Sequence, residues 1–242
     1  MRTSNPVLND NVFQRDLTSP TTMTLGGTVL KTAILLVVLC CAGTYTWEQM
    51  NAGHNVQLLM TGGIIIGLLS ALVIAFVPKA APYGAPIYAV AEGLALGGIS
   101  AMFEKSYPGI AFQAVGMTFG TLAALLAAYS SGLIKATENF KLGVVAATGG
   151  IMLFYLATMV LGFFGIQVPG VFGSGPVGIA FSLFVVVVAA LNLVLDFDFI
   201  ETGVNRGAPK YMEWYGAFGL LVTLVWLYVE FLRLLSKLRG RD

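Results

Sequence analysis

Long runs of apolar residues alternate with short polar connectors along most of the chain. Seven of these runs are long enough for a helix to cross the hydrocarbon core of a bilayer, which takes about 20 residues. They cover residues 26–45, 57–77, 84–103, 109–133, 143–164, 176–195 and 215–235. The pattern predicts an all-α polytopic membrane protein, a bundle of seven transmembrane helices.

Proline and glycine mark most of the connectors between these runs, and only the connector over residues 196–214 is long and charged. We therefore divide the chain into a polar, cytoplasmic N-terminal segment (1–24), a seven-helix transmembrane domain (25–235) and a basic C-terminal tail (236–242). Glycines four residues apart are typical of close helix contacts in lipid. Such pairs occur at positions 63 and 67, 93 and 97, and 116 and 120.

The distribution of lysine and arginine predicts the orientation of the chain. Cytoplasmic connectors are enriched in these residues, and the early connectors indicate a cytoplasmic N-terminus. Seven full crossings would then place Arg233, Lys237 and Arg239 on the outer side, against the same rule. Either the tail departs from the rule, or one segment is re-entrant and returns the tail to the cytoplasm.

Composition agrees with a membrane protein and excludes several functions. The chain is 57% hydrophobic and 10% charged, with a mean hydropathy of +0.84, whereas about a quarter of a soluble domain is charged. A net charge of +1 gives no basic surface for nucleic acid. Adjacent Cys40 and Cys41 and the single histidine, His54, do not suggest a metal site. Because phosphate-binding glycine loops and the GxSxG nucleophile turn are missing from the sequence, we expect neither an enzyme nor a bound cofactor.

Four acidic residues interrupt the apolar runs and are the first candidates for function. Glu92 lies near the middle of the third run, Asp196 and Asp198 follow the sixth, and Glu230 lies in the seventh. A carboxylate at such depth is costly unless it is protonated, paired or bound to a cation. Helical spacing places Asn192 on the same face as Asp196, whereas Asp198 points elsewhere.

Most of these acids also have a purely structural interpretation. Glu230 can pair with Arg233, three residues later on the same helix. Asp198 can lie exposed at the cytoplasmic end of its helix, close to Glu201. Glu92, at mid-span, is expected to face the bundle or an ion pathway rather than lipid.

Acids from two helices provide a mechanism for pH sensing. Two carboxyl groups that meet in a low-dielectric site share one proton and titrate as a unit. Protonation lets them hydrogen-bond to each other, and deprotonation separates them or recruits a cation. Hard oxygen ligands suit Ca²⁺ better than a transition metal. The acids therefore suggest a pH-gated cation passage.

Several stretches share features with one family. They are SNPV at residues 4–7, YAVAEGLALGG at 88–98, the segment 191–201, and APKYMEWY at 208–215 with the helix that follows. In these stretches the chain resembles the Bax inhibitor-1 superfamily, specifically its bacterial Bax inhibitor 1-like branch. The resemblance implies a seven-helix bundle in the bacterial inner membrane with the C-terminal helix at its centre. For some members it implies a pH-sensitive Ca²⁺ leak governed by two acids on helices six and seven.

Transferred to this sequence, the resemblance assigns the seventh-helix acid to Glu230 and the sixth-helix acid to Asp196 or Asp198. The Asp-x-x-x-Ile spacing to Ile200 favours Asp196. Asp196 and Glu230 are therefore expected to form the sensing pair and to be the ligands of any bound Ca²⁺.

Two features of this chain differ from the leak-forming relatives. Those relatives often carry an arginine in the second helix, whereas residues 57–77 contain no charge here, and the connector between the acids is longer. A charged partner for the acids must therefore come from elsewhere in the chain. Asn192 and Arg233 are the polar side chains expected to support the acids.

The sequence thus predicts a pH-sensitive leak channel for Ca²⁺ or other cations, with the lipid bilayer and the permeating ion as its partners. The alternative is a non-conducting integral-membrane stress regulator that modulates a membrane protease or another membrane protein. In that case the acids only set the packing. The sequence leaves the ion selectivity and the direction of pH gating open.

Overall fold

The computed structural model describes residues 22–165 and 171–240, and these residues are almost entirely helical. The seven long helices are α1 (Leu25–Asn51), α2 (Gln57–Phe76), α3 (Ala81–Ser106), α4 (Ile110–Ser130), α5 (Glu138–Phe163), α6 (Pro176–Asn205) and α7 (Met212–Arg239). All seven are long and apolar enough to cross a membrane, which confirms the predicted all-α, seven-helix fold. The predicted N-terminal segment lies outside the described residues except for residues 22–24.

The sixth helix is longer than its apolar run. α6 continues past the expected end at residue 195 to Asn205, so the prediction of a connector beginning at residue 196 is wrong. The added turns bury Phe197 and Ile200 against the bundle, and Lys141 of α5 pairs with Asp198. Because packing and pairing support these turns, both aspartates lie inside a helix, well before its C-terminus.

α7 is the central helix of the bundle. It is the most buried of the seven helices and packs against α1, α3, α4 and α6. Leu224 and Leu227 belong to one apolar cluster and Leu221 to another, so α7 joins the two halves of the core. The central position implied by the family resemblance is confirmed. α5, by contrast, is the least buried helix.

The two ends of the bundle are distinguished by the helices that begin there. At the first end, where α1 begins, Thr24 donates its backbone N–H to Glu213 in the first turn of α7, at 2.9 Å. At the second end, Arg239 in the last turn of α7 donates to the carbonyl of Pro108, between α3 and α4, at 2.8 Å. α7 therefore runs in the same direction as α1, as a bundle of seven helices of alternating direction requires.

Glycine allows α1 and α3 to approach each other closely. A Cβ atom on Gly93 would overlap the backbone carbonyl of Leu39, and one on Gly97 would overlap the backbone of Gly43. A Cβ atom on Gly63 of α2 would similarly meet the backbone of α3. In these helices the four-residue spacing marks close packing, as predicted.

The glycines of α4 do not have this role. No other group of the described chain lies within 4 Å of the Cβ position of Gly116 or Gly120. The same spacing therefore indicates a helix contact in one part of the bundle and not in another, and these two positions provide a matched control.

Replacement of Gly97 by alanine is expected to lower the free energy of unfolding by about 1–3 kcal/mol, because the new methyl group forces α1 away from α3. Gly120→Ala is expected to leave stability unchanged or to raise it by up to about 1 kcal/mol, because alanine favours the helix. Thermal unfolding of both variants in the same detergent compares them. Equal destabilisation would contradict the close contact at Gly97.

Candidate functional site

Polar side chains form a stripe where α5, α6 and α7 meet, and the buried apolar residues Ile151, Val185 and Val188 interrupt it. On α5 and α7 they recur at seven-residue intervals, which keeps them on one helical face. We call this stripe the polar seam: Thr148, Tyr155, Ser182, Asn192, Asp196, Thr223, Glu230, Arg233 and Lys237. Buried apolar residues of α6 and α7 flank it, and the loosely packed α5 covers it. The seam is therefore a polar line from the middle of the bundle to its second end.

Asp196 lies at the inner end of the seam, near the middle of the bundle, between α6 and α7. Its carboxyl group faces the hydroxyl of Thr223 and the backbone at Gly219. One oxygen, Oδ2, is buried and has no hydrogen-bond partner among the described residues. Asn192, one turn earlier on α6, donates to the hydroxyl of Thr148 on α5 at 2.8 Å. The predicted shared face of Asn192 and Asp196 thus turns toward the seam.

Glu230 lies closer to the second end and is almost completely buried, with 1% of its side chain exposed. Its Oε1 accepts from Arg233 Nη1 at 2.9 Å and from the Tyr155 hydroxyl at 3.2 Å. The Arg233 guanidinium also lies over the Tyr155 ring, 5.5 Å from its centroid. The second oxygen of Glu230, Oε2, is buried without a partner in the described chain. The ion pair with Arg233 that helical spacing allowed is therefore present.

The structure does not bring Asp196 and Glu230 together. Asp196 faces Thr223, which precedes Glu230 on α7 by two helical turns, or about 10 Å. No hydrogen bond joins the two carboxyl groups, and no cluster of three or more His, Cys, Asp or Glu side chains occurs in the described chain. In this conformation the two acids form neither the expected pair nor a joint Ca²⁺ site. Their role in pH sensing remains a prediction.

Asp198 and Glu92 lie outside the seam. Asp198 points toward the first end and pairs with Lys141 of α5 at 2.8 Å, with 26% of its side chain exposed. Glu92 of α3 is half-buried and points at α2, where its Oε2 packs against Gly67. Glu92 thus faces a neighbouring helix, as expected, but it is separated from the other acids by the bundle.

Sequence reasoning missed Glu213, the most completely paired acid of the described chain. Its side chain is fully buried at the first end. It accepts from both the backbone N–H and the hydroxyl of Thr24, at 2.9 and 2.8 Å, forms an ion pair with Lys31 of α1, and lies 3.5 Å from Lys210. The group ties the start of the first helix to the start of the last.

The sequence did carry a signal for this pair. Lys31 is the only charged residue in the first apolar run, and a cation within a span generally has a partner. Within the described chain, Lys31 of α1 pairs with Glu213, and Arg233 of α7 pairs with Glu230. Sequence separation hid the first of these pairs, because its members lie in the first and last helices.

Comparison with known families gave one result. A family model described as Bax inhibitor 1 like matches residues 5–240, almost the whole chain, which confirms the resemblance found in the sequence. Comparison with the curated proteins gave no significant match, and neither did comparison with the solved structures.

Glu213→Leu is expected to lower the free energy of unfolding by about 3–5 kcal/mol, because it leaves the ammonium of Lys31 without its buried partner. Adding Lys31→Met is expected to restore part of that loss, since the unpaired charge is then removed. Unfolding in detergent, followed by tryptophan fluorescence, measures both effects.

Glu138→Gln is the control for this double-mutant cycle. Glu138 also lies near a lysine, Lys141 at 3.4 Å, but its side chain is 86% exposed, so its replacement is expected to change stability by less than about 1 kcal/mol. Strictly additive effects of Glu213→Leu and Lys31→Met would contradict a buried ion pair.

Proposed function

The chain belongs to the Bax inhibitor 1 like family of membrane proteins, and we propose that it is a pH-sensitive leak pathway for Ca²⁺ or other cations in the bacterial inner membrane. The observation that carries this proposal is the pair of orphaned carboxylate oxygens, Asp196 Oδ2 and Glu230 Oε2. A buried oxygen without a donor is costly in an apolar interior. Each is therefore a position where a proton or a cation is stabilised.

The surroundings of these oxygens support a cation pathway. Thr223 places a neutral hydroxyl oxygen beside Asp196, and Tyr155 places one beside Glu230, so a cation at either acid has a further hard ligand within reach. The spacing of about 10 Å along α7 separates two binding positions instead of forming one strong site. Permeation requires such positions, because an ion must be able to leave as well as enter.

We interpret the present conformation as closed. Arg233 lies beside Glu230, in the place that a permeating cation would take, and Lys237 crosses the seam to α6 near the second end. α5 contributes little to the core, so moving it away from α6 and α7 costs few apolar contacts. Protonation or deprotonation of the seam acids changes their attraction for Arg233 and for cations, and this couples pH to the pathway.

Reconstitution of the full chain in liposomes loaded with a Ca²⁺-sensitive dye tests the proposal. The wild type is expected to give Ca²⁺ flux that changes with pH. Asp196→Asn and Glu230→Gln are each expected to reduce the flux about tenfold or more, the effect of losing one charged contact. The pH dependence is expected to weaken in both variants, because each removes one carboxyl group of the seam.

Glu138→Gln serves as the control, because this exposed acid lies at the first end and away from the seam. Its flux should match that of the wild type. An absence of flux from folded wild-type protein at every pH would overturn the channel proposal and leave the non-conducting regulator. Equal losses in all three variants would mean that surface charge, and not the seam, controls the flux.

A further inference from the structure

A cavity of about 370 Å³ lies at the second end of the bundle, between α3, α5, α6 and α7. The rings of Phe103, Phe172 and Phe181 form much of its wall, and two cations, Arg233 and Lys237, lie among hydroxyl groups on the remainder. Its volume is typical of small-ligand sites, which span roughly 300–1,000 Å³. An aromatic chamber that contains two cations is suited to an anion.

The cavity wall carries excess positive charge. Lys237 Nζ donates to three neutral oxygens, those of Val171 (2.9 Å), Gly178 (3.1 Å) and Ser182 (2.8 Å). These bonds use all three ammonium N–H groups but leave the charge uncompensated. The pair of Arg233 with Glu230 is the only ion pair that either cation makes within the described chain. Two positive charges therefore face one negative charge.

Arg233 also has donors that no described residue uses. Its Nη1 serves Glu230 and Tyr155, at 2.9 and 3.4 Å, whereas the Nη2 and Nε groups have no partner in the described chain. The hydroxyls of Tyr107 and Ser174, also on the cavity wall, make no hydrogen bond to a described residue either. These two hydroxyl groups both lie beside Gly240, at the C-terminal end of α7. Charge and free donors thus occur together.

We propose that this cavity binds a phosphate group. The unused N–H groups of the Arg233 guanidinium can donate to two phosphate oxygens at once. The hydroxyls of Tyr107 and Ser174 donate to a third phosphate oxygen. Lys237 adds positive charge from one helical turn away. Because the cavity lies at one end of a membrane bundle, the phosphate comes either from solution or from a phospholipid headgroup.

Binding to the purified full-length protein in neutral detergent separates the two sources. Inorganic phosphate is titrated and followed by the rise in unfolding temperature. Dioleoyl phosphatidylglycerol is titrated separately and followed by native mass spectrometry, with dioleoylglycerol as the lipid that lacks phosphate. Saturable binding of inorganic phosphate identifies a soluble anion, and saturable adducts of phosphatidylglycerol without dioleoylglycerol adducts identify a headgroup.

Arg233→Lys keeps the positive charge but removes the planar guanidinium with its paired N–H donors. It is expected to weaken phosphate binding about tenfold or more. The double variant Tyr107→Phe, Ser174→Ala leaves the ion pair of Arg233 with Glu230 intact and is expected to weaken binding severalfold. Arg239→Gln is the matched control. Arg239 lies on the same helix at the same end, but its guanidinium bonds to Pro108 and Gln113 outside the cavity.

The proposal is overturned if neither inorganic phosphate nor phosphatidylglycerol binds saturably to the wild type. It is also overturned if Arg239→Gln weakens binding as much as Arg233→Lys, because the effect would then be general surface charge. If Arg233→Lys does not fold, the double variant decides: unchanged binding in that variant contradicts the site. None of these outcomes depends on ion flux.

Discussion

A carboxyl group inside an apolar helix bundle needs a proton, a cation or a hydrogen-bond donor, and this constraint governs the interior of α6 and α7. Glu213 has the most partners, with Lys31 and the N–H and hydroxyl groups of Thr24. Glu230 has donors on one oxygen and none on the other, and Asp196 has an unpartnered oxygen close to Thr223. The three acids thus range from fully partnered, Glu213, to poorly partnered, Glu230 and Asp196. In the proposed pathway, the poorly partnered acids are the groups that exchange a proton or a cation.

The helix bundle supports this gradation by combining tight and loose packing. Glycine-mediated contact brings α3 against α1, and the Glu213–Lys31 pair ties α1 to α7. The half of the bundle that contains these contacts is tightly packed, and it contains the fully paired acid, Glu213. α5, the least buried helix, covers the seam that contains Asp196 and Glu230. A helix with few core contacts can move at low cost, so the proposed opening involves the half of the bundle with the unpartnered acids.

Arg233 links the proposed pathway to the proposed phosphate site. One nitrogen of its guanidinium neutralises Glu230, while the remaining donors belong to a cavity with excess positive charge. Arginine can serve both, because its five donors point in fixed and different directions. A lysine at this position would present a single ammonium group, so its contact with Glu230 would compete with its contact with an anion. The two sites therefore share a residue without competing for the same hydrogen bonds.

The sequence by itself determined the fold class, the number of crossings that the chain can make, the family and the acids of interest, because apolar run length and the cost of a buried charge are local properties. It also contained the Glu230–Arg233 pair, which depends only on helical spacing. Only the tertiary structure decided which groups meet across helices. It separated Asp196 from Glu230, extended α6 to Asn205 through contacts with other helices, and joined Lys31 to Glu213. Such pairings depend on how helices distant in sequence are rotated and aligned, and no pattern within a single run specifies that.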